Sequence, residues 1–161
     1  MVIMQRIGAG RGLRLAALFV SALVLPSCGG GGGGGGTSNG DPVTGGGQPT
    51  RTTITEQGWA LEPLDAAAVD IEITGSGSGT LDAAVEWTFA SDDVDIYVTA
   101  VTCTPDMFAA ERCAYKTKAD SGTTKPERVS FGVSAGDKHR FWIVNFGPQR
   151  ESGTFVATLT R

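Results

Sequence analysis

Between Leu81 and Phe89 the apolar residues fall on every second position (Leu81, Ala83, Val85, Trp87, Phe89), with Asp82, Glu86 and Thr88 in most of the gaps. That period of two predicts a strand with one buried face and one wet face. After the polar run Ser91-Asp92-Asp93 the alternation resumes at Val94, Ile96, Val98 and Ala100, so Gly79 to Val101 reads as a hairpin of two long strands around an acidic turn. A lone hairpin is not stable in water, and the rest of the chain supplies strands to cover it. Val69, Ile71 and Ile73 alternate with Asp70, Glu72 and Thr74 ahead of the loop Gly75 to Gly79. Val129, Phe131 and Val133 share one face before the turn signal Ser134-Ala135-Gly136-Asp137. His139 to Asn145 is apolar on both faces in its middle, which predicts a central strand, and Gly147-Pro148 breaks it. Phe155, Ala157 and Leu159 mark a closing strand. Arg51 to Thr55 reads as a short first or edge strand, with Trp59-Ala60-Leu61 packing over the end of the core, and Asp106 to Arg112 is the one helix candidate.

About 7–8 short strands separated by Gly, Ser and Asp turns place residues 51–161 in the all-β class, as an antiparallel, jelly-roll-like β-sandwich. Periodicity alone does not separate a jelly roll from an immunoglobulin-like arrangement.

Upstream of Arg51 the alternation stops. Eight consecutive glycines (Gly29 to Gly36) and the polar run to Thr50 carry no hydrophobic pattern, so residues 28–50 read as a Gly-rich linker. A flexible chain of the 22 residues after Cys28 has a typical span of roughly 25 Å. Ahead of it, Arg6, Arg11 and Arg14 precede an apolar stretch of 11 residues, Leu15 to Leu25. A membrane-spanning helix needs about 20, so residues 1–27 have the build of a secretory signal peptide. The stretch ends in Leu25-Pro26-Ser27-Cys28, which resembles the bacterial lipoprotein signal at its leucine, small residue and cysteine. The resemblance implies acylation of Cys28, membrane attachment through that residue, and a cell-envelope location. Gly29, rather than aspartate, fits the family's sorting to an outer membrane in a host that has one.

A second resemblance lies in Trp87 to Val98 (WTFASDDVDIYV), Ser134 to Gly147 (SAGDKHRFWIVNFG) and Ser152 to Thr160 (SGTFVATLT). These look like the bacterial pre-peptidase C-terminal domain, and the likeness covers Val69 to Arg161. It implies a jelly-roll-like sandwich of the kind appended to secreted proteases and other surface proteins. The segment Cys103 to Cys113 has no counterpart in that pattern.

The formal net charge is −4; without Arg6, Arg11 and Arg14, 10 of the 13 basic residues remain against 17 acidic ones, a net of −7. Such a surface repels phosphate backbones, which argues against nucleic acid and favours cations and basic protein surfaces. In an exported chain Cys103 and Cys113 read as a disulfide, worth about 3 kcal/mol for a loop of this length. Zinc would need further ligands, and His139 is the sole histidine. Asp92, Asp93 and Asp95 weigh as a Ca²⁺ candidate against a solvated turn; strand geometry points Asp92 away from the other two, so no specific calcium effect is expected. Trp59, Trp87 and Trp142 weigh as a sugar platform, with Trp87 in the core, Trp142 on an ambiguous strand and Trp59 the exposed candidate. Met107 and Phe108 are expected to be exposed contacts on the disulfide loop. The chain carries no Gly-x-Ser-x-Gly elbow, phosphate loop or dinucleotide fingerprint, and His139 beside a turn reads as solvated. A hydrolase would need His139 beside a serine or carboxylate in a cleft. The reading is therefore a non-enzymatic binding or structural module with a protein or polysaccharide ligand and no cofactor. The alternatives are an accessory or inhibitory subunit of a separate secreted hydrolase, or a carbohydrate-binding module.

Overall fold

The computed structural model describes the backbone of Met4–Ile7 and residues 48–122 and 124–161. Cys28 and nearly all of the 1–27 and 28–50 segments therefore lie outside the described residues. In chain order the elements are β1 (Met4–Ile7), β2 (Arg51–Leu61), β3 (Ala66–Glu72), β4 (Ser78–Trp87) and β5 (Val94–Ala100), then α1 (Pro105–Ala109), β6 (Tyr115–Ala119), β7 (Glu127–Ser134), β8 (Lys138–Asn145) and β9 (Glu151–Thr160). A five-stranded sheet, β1-β3-β8-β5-β6, faces a four-stranded one, β2-β9-β4-β7, and every pairing is antiparallel. This is the all-β sandwich that the alternation predicts. No helix among the described residues is long and apolar enough to cross a membrane.

The inward rows meet in one core that includes Leu81, Val85, Ile96, Phe141, Ile143 and Phe155. Phe141 and Phe155 come from opposite sheets, have no solvent exposure and pack with ring centroids 5.3 Å apart. Burying each such side chain contributes roughly 1.5–3 kcal/mol. β8 is the central strand that its two apolar faces predict: Phe141 and Ile143 face the core, and Trp142 is buried on the opposite face. Gly153 lets β9 pass tightly beside β4, because a Cβ there would run into the Glu86 carbonyl oxygen.

Two expectations are corrected. Gly79 to Val101 is not a hairpin: β4 pairs with β7 and β9, whereas β5 pairs with β6 and β8 in the other sheet. Both strands have an apolar face, and those faces look at each other across the core instead of lying side by side. The acidic turn is thus a corner between sheets. Trp87 Nε1 donates to the Asp92 carbonyl (3.1 Å), and the amides of Phe146 and Gly147 donate to the Asp93 carbonyl (2.8 and 3.1 Å). Phe89 does not continue the buried row; it is 45% exposed. β4 ends at Trp87 because the next two amides, of Thr88 and Phe89, donate to the carboxylate of Glu151 (2.9 and 3.0 Å) and leave the ladder.

β2 is longer than expected and takes Trp59 and Leu61 into the core as strand residues. It runs from Arg51 at one pole of the sandwich to Leu61 at the other, roughly 35 Å at about 3.3 Å per residue. Its start is tied to the end of the chain, with Thr50 N–H donating to the Arg161 carbonyl (2.6 Å) and Arg161 N–H to the Thr50 carbonyl (2.9 Å).

Candidate functional site

The Cys103–Cys113 disulfide forms as expected, with Cα atoms 5.7 Å apart. The segment that it clips includes α1, started by Thr104, whose hydroxyl accepts from the Met107 amide, and by Pro105 in the first turn. This segment folds back over the outer face of the five-stranded sheet. Phe108 stacks on Trp142 with centroids 4.3 Å apart and planes 10° from parallel, and Trp142 Nε1 donates to Thr99 Oγ1 at 3.0 Å. Arg140 makes a fork with Asp70, Nε and Nη2 each donating to one carboxylate oxygen at 2.6 Å, while Nη1 donates to the Cys103 carbonyl at 2.7 Å. Phe108 is thus the flap's anchor, and both it and Met107 are half-buried, not free contacts. The open side of this cluster is Tyr115, 40% exposed, whose ring lies 5.2 Å from Tyr97 and 6.4 Å from Phe108.

The tryptophans do not make a platform. Trp59, the expected exposed one, is 5% exposed in the core, and Trp87 is buried there as expected. Trp142 lies beneath the flap.

Asp92 and Asp93 precede β5, and Asp95 is its second residue. Asp92 is buried against Gly147, where a Cβ would come within 2.7 Å of its carboxylate. Asp95 lies on the outer face, 5% exposed, and accepts from the Tyr97 hydroxyl at 2.7 Å. Burial raises its pKa to about 6 against the lowering effect of that hydrogen bond, with neighbouring Asp93 and Asp120 adding to the rise. Burial and the Asp95 carboxylate hold the Tyr97 hydroxyl protonated, well above the usual phenol range. One oxygen each of Asp92, Asp93 and Asp95 is buried without a hydrogen-bond partner. Among the described residues no group of three or more His, Cys, Asp or Glu is placed to hold a metal ion.

His139 is not the solvated side chain expected beside a turn. It is 8% exposed, edge-on to Phe131 with centroids 5.0 Å apart, and its Nε2 stands 4.0 Å from Asp137. Burial, then the charge of Lys116, lowers its pKa against the raising effect of Asp137.

The pole farthest from Arg51 holds what the sequence reading missed. Leu64, Phe89 and Phe146 are 59%, 45% and 46% exposed, and they stand on the β2–β3, β4–β5 and β8–β9 loops. Hydrogen bonds join these loops. Leu64 N–H donates to the Asn145 carbonyl (2.8 Å), Asn145 N–H to the Asp65 carbonyl (3.0 Å), and Phe146 N–H to the Asp93 carbonyl (2.8 Å), with Asp92 N–H closing back onto Phe89 (3.1 Å). Buried polar side chains brace them from below. Asn145 donates to the carbonyls of Leu61 and Gln149 and accepts from Gly147 N–H, and Glu151 holds the Thr88 and Phe89 amides. Leu64 has φ = 63°, a left-handed conformation that costs a bulky L residue roughly 1–2 kcal/mol. The flap lies elsewhere: β5 runs from Val94 at this pole to Ala100 at the opposite one, where the flap begins.

No known family profile matches the chain, and no curated protein sequence does. Solved structures of similar fold include a periplasmic inhibitor of g-type lysozyme from Aeromonas hydrophila, with 9% identity, TM-score 0.44, and 66% of this chain and 85% of that one covered. They also include the pre-peptidase C-terminal domain of a Bacillus anthracis collagenase, with 7% identity, TM-score 0.35, and 71% and 88% covered. A family 35 carbohydrate-binding module from Clostridium thermocellum has 10% identity, TM-score 0.35, and 70% and 98% covered. Likenesses at this level concern the β-sandwich architecture and do not identify a ligand.

Proposed function

We propose that this chain is a cell-envelope lipoprotein whose sandwich is a non-catalytic binding module for a protein or polysaccharide. In this reading residues 1–27 are removed, β1 with them, which leaves β3 at the edge of a four-stranded sheet; Cys28 carries the lipid, residues 28–50 are the spacer and residues 51–161 do the binding. The anchor would lie in the outer membrane where the host has one. The observation that carries the binding role is the loop pole: three braced loops hold Leu64, Phe89 and Phe146 in solvent at the end of β2 opposite to where the chain comes in from the spacer. Apolar side chains fixed in water by a buried polar scaffold gain free energy only when something covers them. No residue is assigned a catalytic role and no cofactor a site.

The lipid anchor is tested by Cys28→Ser in the full chain. The expected outcome is protein released from membranes with its first 27 residues retained; firm membrane attachment of the substituted protein would remove the anchor from the reading. The binding role is tested by passing the full-length protein over immobilised envelope proteins and envelope polysaccharides. Retention by one class, weakened by Phe89→Ser, is expected, and retention by neither defeats the role.

A further inference from the structure

The apolar tip does not stand in neutral surroundings. The loops that gather at its pole, residues 62–65, 88–93, 120–126 and 146–150, carry Glu62, Asp65, Asp92, Asp93 and Asp120 against Lys125 and Arg150. Lys118, near the end of β6, pairs with Asp120, so five acidic residues stand against three basic ones, a local charge of −2. Glu62 pairs with Arg150 (3.3 Å), Asp120 pairs with Lys118 and Asp92 is buried, so the acidic excess at the rim is that of Asp65 and Asp93 over Lys125. Asp93 is half-buried at the edge of the tip, with one carboxylate oxygen buried without a hydrogen-bond partner.

We infer that the tip formed by Leu64, Phe89 and Phe146 is a wedge for an apolar cleft with a basic rim on a protein partner. This rests on the binding-module reading and names the class of partner for that same pole. Each competing occupant meets a physical obstacle. A bilayer of the cell envelope presents anionic headgroups, which an acidic rim repels, and the tip lies at the pole opposite to Arg51. A second copy would bring two acidic rims together. A sugar chain would stack on Phe89 or Phe146 but has no use for Leu64, the residue that the loop holds at a cost in a left-handed conformation. A protein cleft uses all three: apolar anchors supply the affinity, while a ring of opposite charge steers the encounter and fixes the orientation.

The test places a photo-activated cross-linking amino acid at Ser91, an exposed residue on the same loop as Phe89, in the full-length protein in its native envelope. The expected adduct is a protein that behaves as a cation at neutral pH. Its yield should fall about tenfold or more in Leu64→Ser/Phe146→Ser, the loss of roughly 1.4 kcal/mol of binding. It should also fall in Asp65→Asn/Asp93→Asn and in about 0.5 M NaCl, where the Debye length shrinks to roughly 4 Å. Melting temperature and an intact Cys103–Cys113 bond show whether each variant is folded; if Leu64→Ser/Phe146→Ser unfolds, Phe146→Ser alone takes its place. In parallel, vesicles of phosphatidylethanolamine and phosphatidylglycerol should not retain the protein. An adduct to lipid, to polysaccharide, to a second copy or to an acidic protein, or a basic adduct indifferent to salt and to both sets of substitutions, overturns this inference while leaving a binding pole. No adduct of any kind defeats the binding-module reading with it.

Discussion

At the scale of single residues, burial holds the Asp95 carboxyl at a pKa of about 6, against 3.8 for the free group. The folded chain therefore keeps a proton that the unfolded chain has lost, and stability falls as pH rises from about 4 to about 6, then levels off. Asp95→Asn keeps an acceptor for the Tyr97 hydroxyl and removes the buried charge. It should raise stability at pH about 7.5 by an amount on the order of 1 kcal/mol and change little at pH about 4. Thermal melts at the two pH values check this, and equal effects at both would show that the carboxyl ionises freely. Leu64 poses the opposite trade. Gly at φ = 63° carries no steric penalty, so Leu64→Gly should stabilise the fold by about 1 kcal/mol while weakening capture at the tip. Denaturant unfolding beside the cross-linking yield reads both. Neither residue announced its environment in the sequence. Leu64 and Phe146 are single apolar residues in Pro- and Gly-containing loops, where no period exists to reveal a face, and the Asp95 environment is set first by burial, with Asp120 brought near by pairing of β5 with β6.

At the scale of elements, the flap is held by the Phe108–Trp142 stack, by the Cys103–Cys113 bond and by the Arg140 fork between Asp70 and the Cys103 carbonyl. Cys103→Ala/Cys113→Ala should cost about 3 kcal/mol in the chain-entropy picture and leave the sheets intact. Because Phe108 then lifts more easily from Trp142, fluorescence quenching by iodide should increase while far-ultraviolet circular dichroism stays unchanged. A flap that protects Trp142 equally well in the double variant would assign its closure to Arg140 and the Phe108–Trp142 stack. The strands themselves were readable because apolar patterning reports burial: β7 alternates along its length, and β8 shows the continuous apolar run of a strand buried on both faces. Sheet membership was not readable, because β4 and β5 show the same period whether they lie side by side or face each other across a core. Nor was the end of β4, which is set by Glu151 from more than sixty residues away in the chain.

At the scale of the molecule, the sandwich has two unlike poles. One receives the chain at Thr50–Arg51 and holds the flap and the last residue; the other gathers the loops of the tip. The strand joining the poles most directly is β2, paired with β9 from Arg51↔Thr160 to Leu61↔Glu151. Leu64 follows the far end of β2, and Phe146 precedes the start of β9. A lipid-anchored protein gripping a partner by its tip would be pulled at Arg51 and at those loops, along the strand axes. Antiparallel ladder bonds lie across that direction, so the load would be borne in shear, by many bonds at once, instead of peeling them one after another. The same ladder that closes the sandwich would thus make it a mechanical coupling, stiff along the line from membrane to partner and weak only to forces that pry β2 away sideways.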